Sequence, residues 1–278
     1  GPGGRSGPVG LGDRTGADPR ALADPLRPAY HGTAPAGWMD DANGGVSPRE
    51  HCVWREQGRW RRLTGSGIRH RGGTAYLFES EDLLIWNLIS PLVVGDASAL
   101  PDTDPLWTGT MWECVDFFRL GPDGSTAPPD RSSVDPHVLI FSAGDEGRAL
   151  YPLAATGRYV RDRFEIDGYQ RLDLGGRHAS APQTSVDEQG RRILCSGMRE
   201  GRSARAQWEA GWSGAMALPR VLRRDEDGVI RQAPMPELAA ARGAALAWTT
   251  DGEVHRAQGT QVEIAFDARR FRHQRERV

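Results

Sequence analysis

Cys52-Val53-Trp54-Arg55-Glu56-Gln57-Gly58-Arg59-Trp60-Arg61-Arg62-Leu63-Thr64-Gly65 is the stretch that decides the fold. Two runs rich in β-branched and aromatic residues, Cys52 to Arg55 and Trp60 to Gly65, flank Glu56-Gln57-Gly58, a turn with glycine. That is the signature of a β-hairpin. The unit recurs. Asp116 to Leu120 precedes Gly121-Pro122-Asp123-Gly124, and further hairpins centre on Asp187-Glu188-Gln189-Gly190 and Asp225-Glu226-Asp227-Gly228. Residues 51 to 95 hold four strands, the last two being Thr74 to Glu79 and Trp86 to Pro91. A four-stranded unit of roughly 40 to 50 residues is the size of a propeller blade. A second unit runs from Trp112 to about Leu174 and a third from about Pro182 to Ala233, while helical periodicity is confined to Ala204 to Ala210 and Pro236 to Ala241. Periodicity alone reaches an all-β propeller or sandwich and stops there.

Composition narrows the function. The net charge is -2, and all 35 basic residues are Arg. Both signs are interspersed, so no broad basic face exists for nucleic acid or an anionic membrane. The Arg269 to Arg277 cluster reads as a solvated tail. Cys52, Cys114 and Cys195 are too far apart for a zinc pair and odd in number, which predicts reduced, buried thiols. The seven His show no ligand spacing, and Asp102 with Asp104 is too sparse for a calcium loop, so no metal is expected. No window approaches a membrane span or a signal peptide, which makes the cytoplasm the default location. Residues 1–27, rich in Gly, Pro, Arg and Asp, are expected to be a disordered leader.

Three segments carry carboxylates in suggestive surroundings. Gly37-Trp38-Met39-Asp40-Asp41-Ala42-Asn43-Gly44 taken alone is a good turn. Met111-Trp112-Glu113-Cys114-Val115-Asp116-Phe117-Phe118 places an acid in an aromatic strand, where it can simply face solvent. Arg49-Glu50-His51-Cys52-Val53-Trp54 is indistinct by itself. In their order and character, however, the three resemble the Trp-Met-Asn-Asp-Pro-Asn-Gly, Glu-Cys-Pro and Arg-Asp-Pro motifs of the family 32 glycoside hydrolases, the invertase and levanase group. The resemblance extends through Gly65-Ser66-Gly67-Ile68, Gly72-Gly73-Thr74-Ala75, Ser80-Glu81-Asp82-Leu83 with Trp86, Ala181-Pro182-Gln183, and Gly211-Trp212-Ser213-Gly214 leading to Leu218-Pro219-Arg220.

The resemblance implies a five-bladed β-propeller followed by a β-sandwich, and a retaining hydrolase without metal or organic cofactor. The substrate would be a fructose-containing saccharide such as sucrose or a fructan. Asp41 would be the nucleophile and Glu113 the acid/base, held neutral by burial and a neighbouring charge. Glu50 would occupy the position of the transition-state stabiliser, with Trp38, Asn43, Arg49 and Trp112 as substrate contacts. Retention needs the two carboxyl groups about 5 to 5.5 Å apart.

The departures from the family pattern fall on the same motifs. Asp40 stands for Asn, Ala42 and Val115 for prolines, and Glu50 for Asp, which moves a carboxylate by one methylene. Only Gly45, Val46, Ser47 and Pro48 separate Gly44 from Arg49, too few for a blade. The expected architecture is therefore a propeller over residues 28–238 lacking most of its first blade. Residues 239–278 would begin a sandwich, with Gln261 to Phe266 as one early strand that cannot make a core alone. Two functional classes stay open: a β-fructofuranosidase-type enzyme, and a non-catalytic fructoside-binding remnant or inactive deletion product. The sequence does not fix an oligomeric state.

Overall fold

The computed structural model describes residues 37–38, 51–145, 148–174, 178–244, 249–251 and 254–256. The expected leader, residues 1–27, and the expected sandwich strand, Gln261 to Phe266, lie outside the described residues. A short strand, β1 (Gly37–Trp38), comes first. The first sheet then contains β2 (His51–Glu56), β3 (Arg59–Ile68), β4 (Gly72–Ser80) and β5 (Asn87–Val94), paired antiparallel in that order. Its opening turn is the one read from sequence. Gln57 and Gly58 both have positive φ, 49° and 84°, as a two-residue hairpin whose twist matches the flanking strands requires.

The second sheet is built from β6 (Met111–Leu120), β7 (Thr126–Ala127), β8 (His137–Asp145), β9 (Arg148–Val160) and β10 (Arg163–Arg171), in the order β10-β9-β8-β6-β7. The third contains β11 (Ala179–Val186), β12 (Arg192–Met198), β15 (Arg220–Arg224) and β16 (Ile230–Pro234). Between β12 and β15 come helix α1 (Ala204–Ala210) and the short strands β13 (Trp212–Ser213) and β14 (Ala215–Met216). Ser203 caps α1 by accepting from the Ala206 N–H, and Gly211 ends it at φ 76°. Pro236–Ala241 form a 3-10 turn, and β17 (Thr249–Asp251) pairs with β18 (Val254–Arg256). Both helical stretches expected from sequence are thus present.

Period-two alternation explains how the sheets stack. On the second sheet Val115, Phe117, Leu139 and Phe141 face the first sheet and pack with Trp54, Leu63, Ala75 and Leu77. Their neighbours Phe118, Leu120, Val138 and Ile140 point the other way, onto Leu194, Leu222 and Ile230 of the third sheet. A strand buried on both faces reads as a continuous apolar run, and β8 is buried at every residue but the last. At one rim of the first two sheets a charged clasp closes the seam. Glu56 accepts from the Arg131 backbone N–H at 2.8 Å and lies 3.4 Å from Arg61 Nε, while Arg131 Nη1 donates to Asp162 at 2.8 Å.

Candidate active site

The opening strands of the three sheets, β2, β6 and β11, meet. The Cys52 thiol of β2 donates to the Phe117 carbonyl of β6 at 3.6 Å, and Thr184 of β11 donates to Asp116 of β6. Close approach is possible because the facing positions of the first sheet are glycines. A Cβ on Gly65 would lie 2.4 Å from the Trp112 carbonyl oxygen, one on Gly67 2.4 Å from that of Thr110, and one on Gly73 2.0 Å from the Trp112 ring. The Gly-Ser-Gly and Gly-Gly segments are therefore packing devices that seat β6 against the first sheet.

At this seat β6 breaks its ladder. Glu113 pairs with Ser142 and Asp116 with Ile140, so Cys114 and Val115 together oppose one residue of β8, and Cys114 takes φ 52°. A bulge of this kind re-aims the side chain beside it. Trp112, Cys114, Val115 and Asp116 are buried, whereas Glu113 between them is exposed. Strand β11 repeats the device: Ala181 takes φ 50° and the register with β12 shifts between Ser180 and Gln183. The two bulges are stitched together where the Ala181 N–H donates to Ser142 Oγ at 3.2 Å.

Two sequence expectations need correction here. Trp112 does not face a sugar: its ring is fully buried, stacked on Phe141 at 4.0 Å, and its Nε1 donates to the Thr108 carbonyl at 2.9 Å. Glu113, expected to be buried, is exposed, because the bulge turns it out of the core that holds its neighbours. Asp41, Asn43, Arg49 and Glu50 lie outside the described residues. Trp38 is described through its backbone: β1 pairs parallel with β13, Trp38 opposite Ser213.

Around that pairing sits a cluster that sequence reasoning did not single out. Arg202 stacks on Trp212 at 3.8 Å and donates to its carbonyl and to Glu200. The Arg202 hydrogen bond holds the Glu200 carboxyl down at about 2, despite partial burial. Asp116, within the second carboxylate segment, is likewise not singled out by the sequence. It is 6% exposed and accepts from both the backbone N–H and the hydroxyl of Thr184. Its only sequence signal was an acid in an aromatic strand. Among the described residues no group of His, Cys, Asp and Glu is placed to hold a metal, and no helix is long and apolar enough to cross a membrane.

Residues 47–234 match the glycosyl hydrolases family 32 N-terminal domain. The chain belongs to glycosyl hydrolase family 32. A sucrose-6-phosphate hydrolase of Klebsiella pneumoniae is 32% identical over 215 residues, covering 72% of this chain and 41% of that protein. An insoluble β-fructofuranosidase isoenzyme of Daucus carota is 32% identical over 225 residues, covering 76% of this chain and 35% of that protein. Among solved structures, fructan 1-exohydrolase IIa from Cichorium intybus superposes with a TM-score of 0.58 at 26% identity, covering 70% of this chain and 36% of that one. The three stacked sheets thus have the fold of the family 32 propeller, and the chain spans about two fifths of the length of the relatives it matches.

Proposed function

We propose that this family 32 chain carries a β-fructofuranosidase-type site that releases fructose from sucrose or a fructan with retention. The observation that supports the reading is Glu113: an exposed acid between buried neighbours, on a bulge at the seam of three sheets. In this reading Glu113 gives its proton to the leaving oxygen while the Asp41 carboxylate attacks the anomeric carbon and the glycosidic C–O bond breaks. Water then attacks the same carbon, Glu113 takes the water's proton, and the bond to Asp41 breaks to release fructose. Glu50 takes the stabilising position, and Trp38, Asn43 and Arg49 contact the sugar. Trp112 acts from behind, as the buried ring that fixes the height of β6.

A second reading is favoured by the four residues between Gly44 and Arg49 and by Asp40, Ala42 and Glu50, which alter the neighbourhood of Asp41. In that reading the chain binds a fructoside without cleaving it. One pair of measurements separates the two. Fructose release from sucrose by the purified chain, lost by about 100-fold or more in Glu113→Gln, supports the enzyme. A rise in Tm with fructose but no turnover supports the binding remnant, and neither effect rejects both.

A further inference from the structure

We infer that Asp116 is the positioning residue that holds the bulge bearing Glu113 in place, by clasping β6 to β11. This rests on the role proposed for Glu113. Two residues opposite one leave part of the ladder unpaired and the strand free to bend, so the direction of Glu113 must be fixed by something other than β-pairing. Asp116 is the first residue to rejoin the ladder after the bulge, and its carboxylate reaches out of the sheet to its neighbour. Oδ2 accepts from the Thr184 N–H at 2.8 Å and from the Thr184 hydroxyl at 2.5 Å.

The clasp has a defined polarity. Arg192 Nη1 donates to Thr184 Oγ1 at 2.9 Å, so that oxygen accepts from the guanidinium and its single proton is directed at Asp116. Arg192 is itself fixed, with Nε donating to Thr126 Oγ1 at 2.9 Å and its guanidinium 4.1 Å over the Phe118 ring. On the far side of the bulge the Ala181 N–H donates to Ser142 Oγ, and Ser142 is the residue paired with Glu113. Glu113 thus sits between two ties to the third sheet. Asp116 also reaches the first sheet: its negative charge adds to burial in pushing the Cys52 thiol far up. Cys52 lies two residues past Glu50 on the segment that would bring Arg49 and Glu50 to the site.

A misaimed general acid is felt where the leaving group is a basic alkoxide and hardly at all where it leaves unaided. Thr184→Val removes the hydroxyl and keeps the branch. It is expected to lower kcat/KM on sucrose by about 10-fold or more while changing an activated aryl fructoside by less than about threefold, with Thr184→Ser restoring the parent values within about twofold. Equal losses on both substrates, or a Ser variant no better than Val, would overturn the assignment. If the parent releases no fructose at all, the proposed function fails, and the positioning is judged by the 13C and amide chemical shifts of labelled Glu113. Those resonances should move in Thr184→Val and return in Thr184→Ser; unmoved resonances in a folded Val variant overturn the inference. Asp116→Asn serves the same two readouts should the Val variant fail to fold.

Discussion

His137 shows how far one residue's surroundings can govern behaviour that its identity does not reveal. Its ring is fully buried, 5.4 Å from Phe117 and 5.6 Å from Tyr159, and the Asp130 N–H donates to Nε2 at 3.2 Å. Burial, followed by the nearby Arg119 charge, lowers its pKa to about 4. An unfolded histidine takes up a proton near pH 6.5, so between about 6.5 and 4 the unfolded chain binds the proton and the folded one does not. Stability from this group is complete above about pH 6.5 and falls as the pH drops toward 4, by up to about 3 kcal/mol. Urea midpoints at pH 7 and pH 5 should therefore differ, and the difference should shrink in His137→Gln. An unchanged pH dependence in the variant would assign the effect elsewhere. Glu200, held at about 2, loses its contribution only as the pH falls from about 4.5 toward 2, below most of this window. The sequence could not show that His137 is neutral and enclosed, because its enclosing rings come from two other stretches of chain, near residues 117 and 159.

At the scale of the element, the same contrast separates what sequence reveals from what it hides. The hairpins were legible because Gly58, Gly124, Gly190 and Gly228 sit in turns at positive φ, a local requirement that a local residue type satisfies. The bulges in β6 and β11 were not, because Cys114 and Ala181 take positive φ without being glycine. Such a conformation is imposed by the neighbouring sheet and leaves no mark in composition. That is why the sequence puts Glu113 in an aromatic strand without showing that it turns out of the core, and does not show that the Trp112 ring is enclosed. The glycines of the first sheet allow a direct test of that packing. In Gly73→Ala the new Cβ would meet the Trp112 ring at 2.0 Å, and that ring has nowhere to go, held between Phe141 and the Thr108 carbonyl. The variant should lose about 1–3 kcal/mol or more of stability. Gly168→Ala is the control, since nothing lies within 4 Å of its Cβ position, and it should be neutral or slightly stabilised. Equal Tm values for Gly73→Ala and the parent would show that β6 is not seated by these glycines.

At the scale of the whole molecule, the second sheet is what makes three blades one body. The outer face of the first sheet leaves Val53 at 39% and Leu88 at 57% exposure. The second sheet, in contrast, contributes alternate residues of β6 and β8 to both apolar clusters. Neither cluster can be lost without stripping one face of strands that the other needs, so the two should melt together. Trp54, Trp107 and Trp112 all lie in the first cluster, whereas Leu194 lies in the second. Leu194→Ala should cost about 2–5 kcal/mol, a large part of the 5–15 kcal/mol typical of a folded domain. If the sheets form one cooperative unit, the urea midpoint read by fluorescence of Trp54, Trp107 and Trp112, in a chain whose other tryptophans are replaced by Phe, should fall by as much as that read by circular dichroism, although none of the three belongs to the second cluster. A fluorescence midpoint that stays at the parent value while the dichroism midpoint drops would mean that the third sheet unfolds alone. Then β11 could not hold Glu113 through Asp116 and Ser142 under conditions where the first two sheets persist. Coincident midpoints would instead show that the three sheets keep the rigidity on which any chemistry at Glu113 depends.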